Sequence, residues 1–255
     1  MRRNVLLPLV VFAVQIPLTI ACVAGLLPIH PIVMMLPLVG LLNRQIERRG
    51  PEGLGLAIVQ PVRSLLLALA FAVLGFVGRL IALRFDHVPL RVPPLTVVTI
   101  GSLVKDLAVD LVIIALWEEI VDRGYIQTRL QAAWGFSGVV VTTLLFASLH
   151  MPSALHDYGW APRILFRFVQ TGLAGFMLGY LYWWTGSVLP TIAVHGLRNF
   201  LMLTVTQHLS GVTATRLLGS QMPFQLLWLV GEVGLMLFVC RPVFGRRRSL
   251  SRRSP

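Results

Sequence analysis

Eight apolar runs follow one another along the chain: Val5–Leu27, Ile29–Leu42, Leu65–Leu83, Thr96–Glu119, Ser137–Leu155, Ile164–Trp184, Ser187–His208 and Phe224–Cys240. A helix needs about 20 apolar residues to cross the ~30 Å hydrocarbon layer, and there it must satisfy every backbone N–H and C=O within itself. The runs therefore predict an all-α fold, a polytopic transmembrane bundle of about eight helices. Composition agrees. Only 13% of the 255 residues are charged and 56% are hydrophobic, against about 25% charged in soluble domains; mean hydropathy is +0.80. No soluble domain fits beside the spans. The second run is short and holds Pro31 and Pro37, so spanning and re-entrant readings both stay open. The first follows Arg2 and Arg3 and resembles a signal peptide. More apolar segments follow at once, and Thr19-Ile20-Ala21 before Cys22 is a poor lipoprotein box, so it is read as an uncleaved span.

Net charge is +12, and 241–255 holds six Arg and no acid. Such a tail is a topology signal that also meets anionic lipid. Nucleic acid is not expected as a partner, because no aromatic residues interleave the arginines. Arg2 and Arg3, Arg44, Arg48 and Arg49, and the tail all fall on one side if eight spans cross, which predicts both termini in the cytoplasm of a multi-pass cell-membrane protein. Arg123 and Arg129, after span four, are consistent with a cytoplasmic position; Arg163 and Arg167, before span six, are not. Outer loops are expected at Val92-Pro93-Pro94, Met151-Pro152-Ser153 and Trp160-Ala161-Pro162. Cys22 and Cys240 read as buried thiols, and Gly172, Gly175 and Gly179 as a small-residue face for close helix packing.

Glu118 and Glu119 stand side by side after the apolar run Leu111–Trp117. Carboxylates at membrane depth cost a few kcal/mol each and are kept where they face a protein interior or a water pocket, usually for chemistry. Glu119 and Arg123 are i and i+4, so an ion pair along one helix face is expected. Glu118 points about 100° away, which leaves one carboxylate structural and the other free to act on water. Phe146 and His150 share a face of span five, and His195 and Asn199 share one of span seven.

Glu118-Glu119-x-x-x-Arg123-Gly124-Tyr125, then Phe146-x-x-x-His150, then Thr185-Gly186-Ser187-Val188-Leu189-Pro190 leading to His195-x-x-x-Asn199, together resemble the CPBP family. That family holds the type II CAAX prenyl endopeptidases and bacterial relatives, some linked to bacteriocin processing or immunity. The motifs come in the family's order over about residues 111 to 205. The resemblance divides the chain into N-terminal transmembrane helices without a recognisable motif (1–95), a CPBP-like catalytic membrane core (96–240) and a basic cytoplasmic tail (241–255). One departure stands out: Asp122, where the family commonly has a hydrophobic residue, often Phe.

The resemblance implies an intramembrane endopeptidase. Glu118 and His150 would activate water, His195 and Asn199 would stabilise the oxyanion, and Glu119 and Arg123 complete the site. The family has also been called metalloprotease, and Glu118, His150 and His195 could hold zinc as two His and one Glu with an open position. No His-Glu-x-x-His motif exists here, and the ligands would come from three helices, so metal-independent glutamate catalysis with no required cofactor is the preferred reading and zinc the alternative. The expected partners are a protein or peptide substrate, lipid-modified or membrane-bound among the options, and membrane lipids. Competing functions are an inactive immunity or scaffold protein and a proton-coupled transporter. The latter predicts paired broken helices in matching halves, and the sequence has no such symmetry. A rhomboid-type serine protease would need a Gly-x-Ser-x-Gly run, which is absent.

Overall fold

Each of the eight apolar runs forms a helix. The structure, a computed structural model, describes residues 2–27, 31–91, 96–158, 161–212 and 221–244, and no strand occurs among them. Helix α1 is Arg2–Val23, α2 is Pro31–Leu41, and α3 is Pro61–Phe85. Helix α4 runs over 97–134, α5 is Phe136–Leu149, and α6 is Met151–Tyr158. Helix α7 is Ala161–Thr185, α8 is Val188–Ser210, and α9 is Met222–Phe244. Six segments are long and apolar enough to cross a membrane: Val5–Val23, Pro61–Phe85, Phe136–His156, Arg163–Thr185, Val188–Ser210 and Met222–Phe244. The protein is thus an all-α, multi-pass membrane bundle. The second run gives only a shorter apolar helix, Val33–Ile46. The Val92-Pro93-Pro94 loop and the tail beyond Phe244 lie outside the described residues, as does Trp160.

Local chemistry sets the helix ends. Thr96 accepts a hydrogen bond from Thr99 N at 3.2 Å and caps α4, satisfying one of its orphan donors. Gly135, at φ 58 and ψ −133, ends α4 in a region that side chains avoid. Ser187 caps α8 by accepting from Leu189 N at 3.3 Å. Met151-Pro152-Ser153, expected as an outer loop, instead opens α6. Pro152 falls in its first turn, where a missing N–H goes unnoticed.

Helix α4 alternates between α and wider π turns: Val97–Ala108 α, Val109–Ala115 π, Leu116–Glu119 α, Ile120–Gln127 π, Thr128–Trp134 α. Bulged turns of this kind often mark functional sites, and here two of them flank the Glu pair. The helix passes straight through Gly124. Arg123 and Arg129, whose sequence positions fitted a cytoplasmic location, are 1% and 0% exposed. Each is enclosed by partners. Arg129 pairs with Glu47, donates to Asn43 Oδ1 at 2.7 Å and Gly53 O at 2.6 Å, and lies 4.0 Å over the Tyr125 ring. This cluster clamps the 43–55 connection onto α4. A Cβ at Gly124 would collide with the Leu54 carbonyl oxygen, so only glycine permits that approach.

Two apolar clusters fill the bundle. One joins Val11, Met35 and Val39 to Val121, Tyr125, Ile126 and Leu130 of α4. The other joins Leu67, Ala68 and Phe71 of α3 to Leu178 and Leu181 of α7 and Val233 and Met236 of α9.

Candidate active site

Glu118 and Glu119 diverge as a 3.6-residue period requires. Glu119 is fully buried. Its Oε2 lies 3.5 Å from Arg123 Nε, the expected i, i+4 pair. Arg123 is fixed further by donating to Gly175 O at 3.2 Å and by stacking 4.3 Å over the Phe146 ring. One helical turn on, Gln127 donates to Gly179 O at 2.8 Å. The glycine face of α7 therefore does more than allow close packing, since it exposes backbone carbonyls to the polar side of α4. A Cβ on Gly175 would press on the Phe146 ring at 2.8 Å.

His195 bridges the two carboxylates. Its Nδ1 is 2.9 Å from Glu119 Oε1, and its Nε2 is 3.9 Å from Glu118 Oε2. The sequence linked His195 to Asn199 along α8; the contact with Glu119 needs α4 and α8 side by side, which no spacing within one segment encodes. The turn that leads into α8 is itself pinned. Gly186 takes φ +63, Ser187 donates to Ala57 O, and Val188 N donates to Gly55 O at 3.0 Å. The same 43–57 connection thus holds both α4 and the start of α8.

His150 caps the end of α5. Its Nδ1 lies 3.0 Å from Phe146 O, and its ring lies 4.7 Å from the Phe146 ring. A carbonyl can only accept, so this contact puts the proton on Nδ1 and leaves the Nε2 lone pair free.

A cavity of about 180 Å³ lies among α3, α4, α5, α7, α8 and α9. Glu118, His150, His195 and Asn199 all line it, whereas Glu119 and Arg123 do not. Glu118 Oε2 is buried without a hydrogen-bond partner among the described residues. The cavity thus collects a carboxylate, two imidazoles and an amide beside the Phe146 ring, with Glu119 and Arg123 outside its lining. Asp122, the departure from the family pattern, is buried on α4 within electrostatic reach of both glutamates.

The rest of the polar lining was not anticipated from sequence. It carries Arg79, Arg167 and Arg198, with Gln170, Gln225 and Trp228. Arg198 bonds Glu232 at 2.5 Å, and Trp228 Nε1 donates to Glu232 at 3.1 Å. The available signal was the charge itself: Arg79, Arg198 and Glu232 each sit inside an apolar run, where an ionisable group marks function by default.

For the zinc alternative, the test is the donor set. Among the described residues no group of three His, Cys, Asp or Glu is assembled to hold a metal ion. His195 Nδ1 is already taken by Glu119, and His150 Nδ1 by a backbone carbonyl. Those contacts orient each ring as in a metal-ligating His and leave Nε2 open; what the described residues lack is a converging group of three donors.

In this helical membrane bundle a buried Glu and half-buried His and Asn side chains share one cavity. Residues 100–201 match the family model of Rce1-like, type II CAAX prenyl endopeptidases. That segment holds all three motifs, so the family model and the motifs point to the same resemblance. No curated protein and no solved structure matches the chain.

Proposed function

We propose that the chain is an intramembrane endopeptidase in which Glu118 and His150 activate a water for attack on a peptide carbonyl. The observation that carries this reading is the sorting of the polar residues: Glu118, His150, His195 and Asn199 line one cavity while Glu119 and Arg123 brace them from behind. Glu118 takes a proton from water as the oxygen bonds to the carbonyl carbon. His150, with its proton donated to Phe146 O, offers Nε2 as acceptor to the same water. The resulting tetrahedral oxyanion accepts from the Asn199 amide, a donor typically worth ~3 kcal/mol in the transition state. Glu118 then returns the proton to the amide nitrogen as the C–N bond breaks. His195 shares the oxyanion role only as imidazolium, because Nδ1–H is committed to Glu119. Asn199 carries the role with no charge requirement.

No metal enters these steps. The substrate is a membrane-bound or lipid-modified peptide, met from within the bilayer, and both termini are cytoplasmic. The test is cleavage of a peptide library by purified protein in liposomes, with Glu118→Gln as control. Cleavage by the parent protein and none by the variant supports the reading. No cleavage by either supports an inactive scaffold instead.

A further inference from the structure

The cavity is not placed evenly between the two ends of the bundle. Contacts between helix termini define those ends. At the first, Arg63 near the start of α3 donates to Val243 O near the end of α9 at 2.8 Å, and Val188 N at the start of α8 donates to Gly55 O. At the second, Arg91 N beyond α3 donates to Leu209 O of α8, and Gln221 before α9 donates to Asp86. The lining runs from the reacting groups toward the second end. Among the described residues α3 contributes nothing before Gly75 and α9 nothing after Leu229, whereas α7 contributes from Arg167 onward and α8 from His195 to Leu203.

The first end is closed. Tyr125, Gln127, Arg129, Leu181 and Val188 are fully buried, and Arg129 fastens the 43–55 connection through Asn43, Glu47 and Gly53. Toward the second end a polar seam runs between α4 and α8. Thr204 donates to Asp110 Oδ2 at 3.2 Å, and Asp110 is within electrostatic reach of His195. Further along, His208 Nε2 lies 3.8 Å from Asp106 Oδ2, with side chains 30% and 29% exposed. Each hydrolysis consumes a water, and polar groups inside a membrane bundle face either protein or a water-filled space. The seam gives water a path to the site from the second end.

Charge orients the two ends. Arg44, Arg48, Arg49 and Arg63 are exposed toward the first end, where α9 gives way to the segment with six Arg and no acid. The second end mixes signs, with exposed Arg84, Asp86 and Arg91. Arginine-rich ends stay in the cytoplasm.

We propose that the cavity is served from the side of the membrane opposite the basic tail, so that its substrate is a peptide segment at the outer leaflet, on an exported or outward-facing chain. The assignment rests on the protease reading for what occupies the cavity and on the cytoplasmic placement of the tail for its side.

The test is thiol accessibility, which needs no turnover. With Cys22 and Cys240 replaced by alanine, single variants Leu203→Cys in the cavity, His87→Cys at the second end and Glu52→Cys at the first are placed in sealed right-side-out vesicles. A membrane-impermeant maleimide is added before and after permeabilisation. Leu203→Cys and His87→Cys should be labelled as fully before permeabilisation as after it, and Glu52→Cys only after it. Met202→Cys, a second lining position, serves where Leu203→Cys fails to fold. Labelling of the cavity position only after permeabilisation overturns the proposal. So does labelling of Glu52→Cys in sealed vesicles, since the closed end then faces outward. A cavity position that stays unlabelled in both conditions overturns it too, because the cavity then does not meet water. A cavity labelled from outside in a protein that cleaves nothing supports the side assignment and overturns the catalytic reading alone.

Discussion

Nδ1 of His195 lies 2.9 Å from Oε1 of Glu119, on the face of the ring remote from Glu118. One carboxylate thus serves two partners, Arg123 along its own helix and His195 across to the next. The neighbouring carboxylate serves neither so closely, at 3.9 Å from His195 Nε2. Adjacent residues of the same type hold different positions because one faces the packed interior and the other the cavity.

Glu118→Gln is therefore expected to abolish turnover with little change in detergent thermal stability. Glu119→Gln should lower both, because it leaves Arg123 a buried, poorly paired charge, typically a loss of ~3–5 kcal/mol. Activity and melting temperature of the two variants, measured side by side, check this. Full activity in Glu118→Gln would remove it as the base.

Asn199→Ala should lower kcat and kcat/KM by similar factors, on the order of 10² or more, with KM near its starting value. Asn199→Asp should be as poor or worse, since it sets a negative charge against a forming oxyanion. Steady-state kinetics decide: a raised KM at unchanged kcat would make Asn199 a substrate-binding group.

Thorough chelation should leave activity intact, since no group of three donors converges to hold a metal among the described residues. Loss on chelation with recovery on zinc, at near-stoichiometric metal content, would make Glu118, His150 and His195 ligands after all.

Arg129→Ala should destabilise the protein by ~3 kcal/mol or more, because it strands Glu47 and unfastens the 43–55 connection. Detergent thermal unfolding reads the loss. An unchanged melting temperature would mean that the clamp is dispensable.

A reporter fused after Pro255 should be active only in the cytoplasm, and one inserted at His87, between α3 and α4, only outside. A C-terminus on the outer side would require an odd number of crossings, with the short Val33–Ile46 helix as the segment that does not cross.

Most of the helices were legible because an apolar run of span length has few other folds open to it. The last third of α4 was not. Arg129 fits a cytoplasmic position by charge in sequence, and the partners that bury it, Asn43 and Glu47, stand some 80 residues away. Glu118, His150, His195 and Asn199, which line the cavity, could be named from three motifs. Their relation could not, since the Glu119–His195 contact depends on α4 lying against α8. Arg167, which broke the expected charge pattern of the loops, turned out to be a lining residue. A residue that violates a topology rule has a reason to be where it is.

The family match covers most of the cavity lining but not all of it. Residues 100–201 supply Glu118, His150, His195 and Asn199, but Gly75, Gly78 and Arg79 come from before that segment and Gln225, Trp228 and Leu229 from after it. Grafting 100–201 between foreign flanking helices would keep the reacting groups and discard much of the surface that a substrate meets. The division also tells a protein engineer where to work: selectivity can be redrawn on α3 and α9, leaving the four candidate reacting side chains untouched.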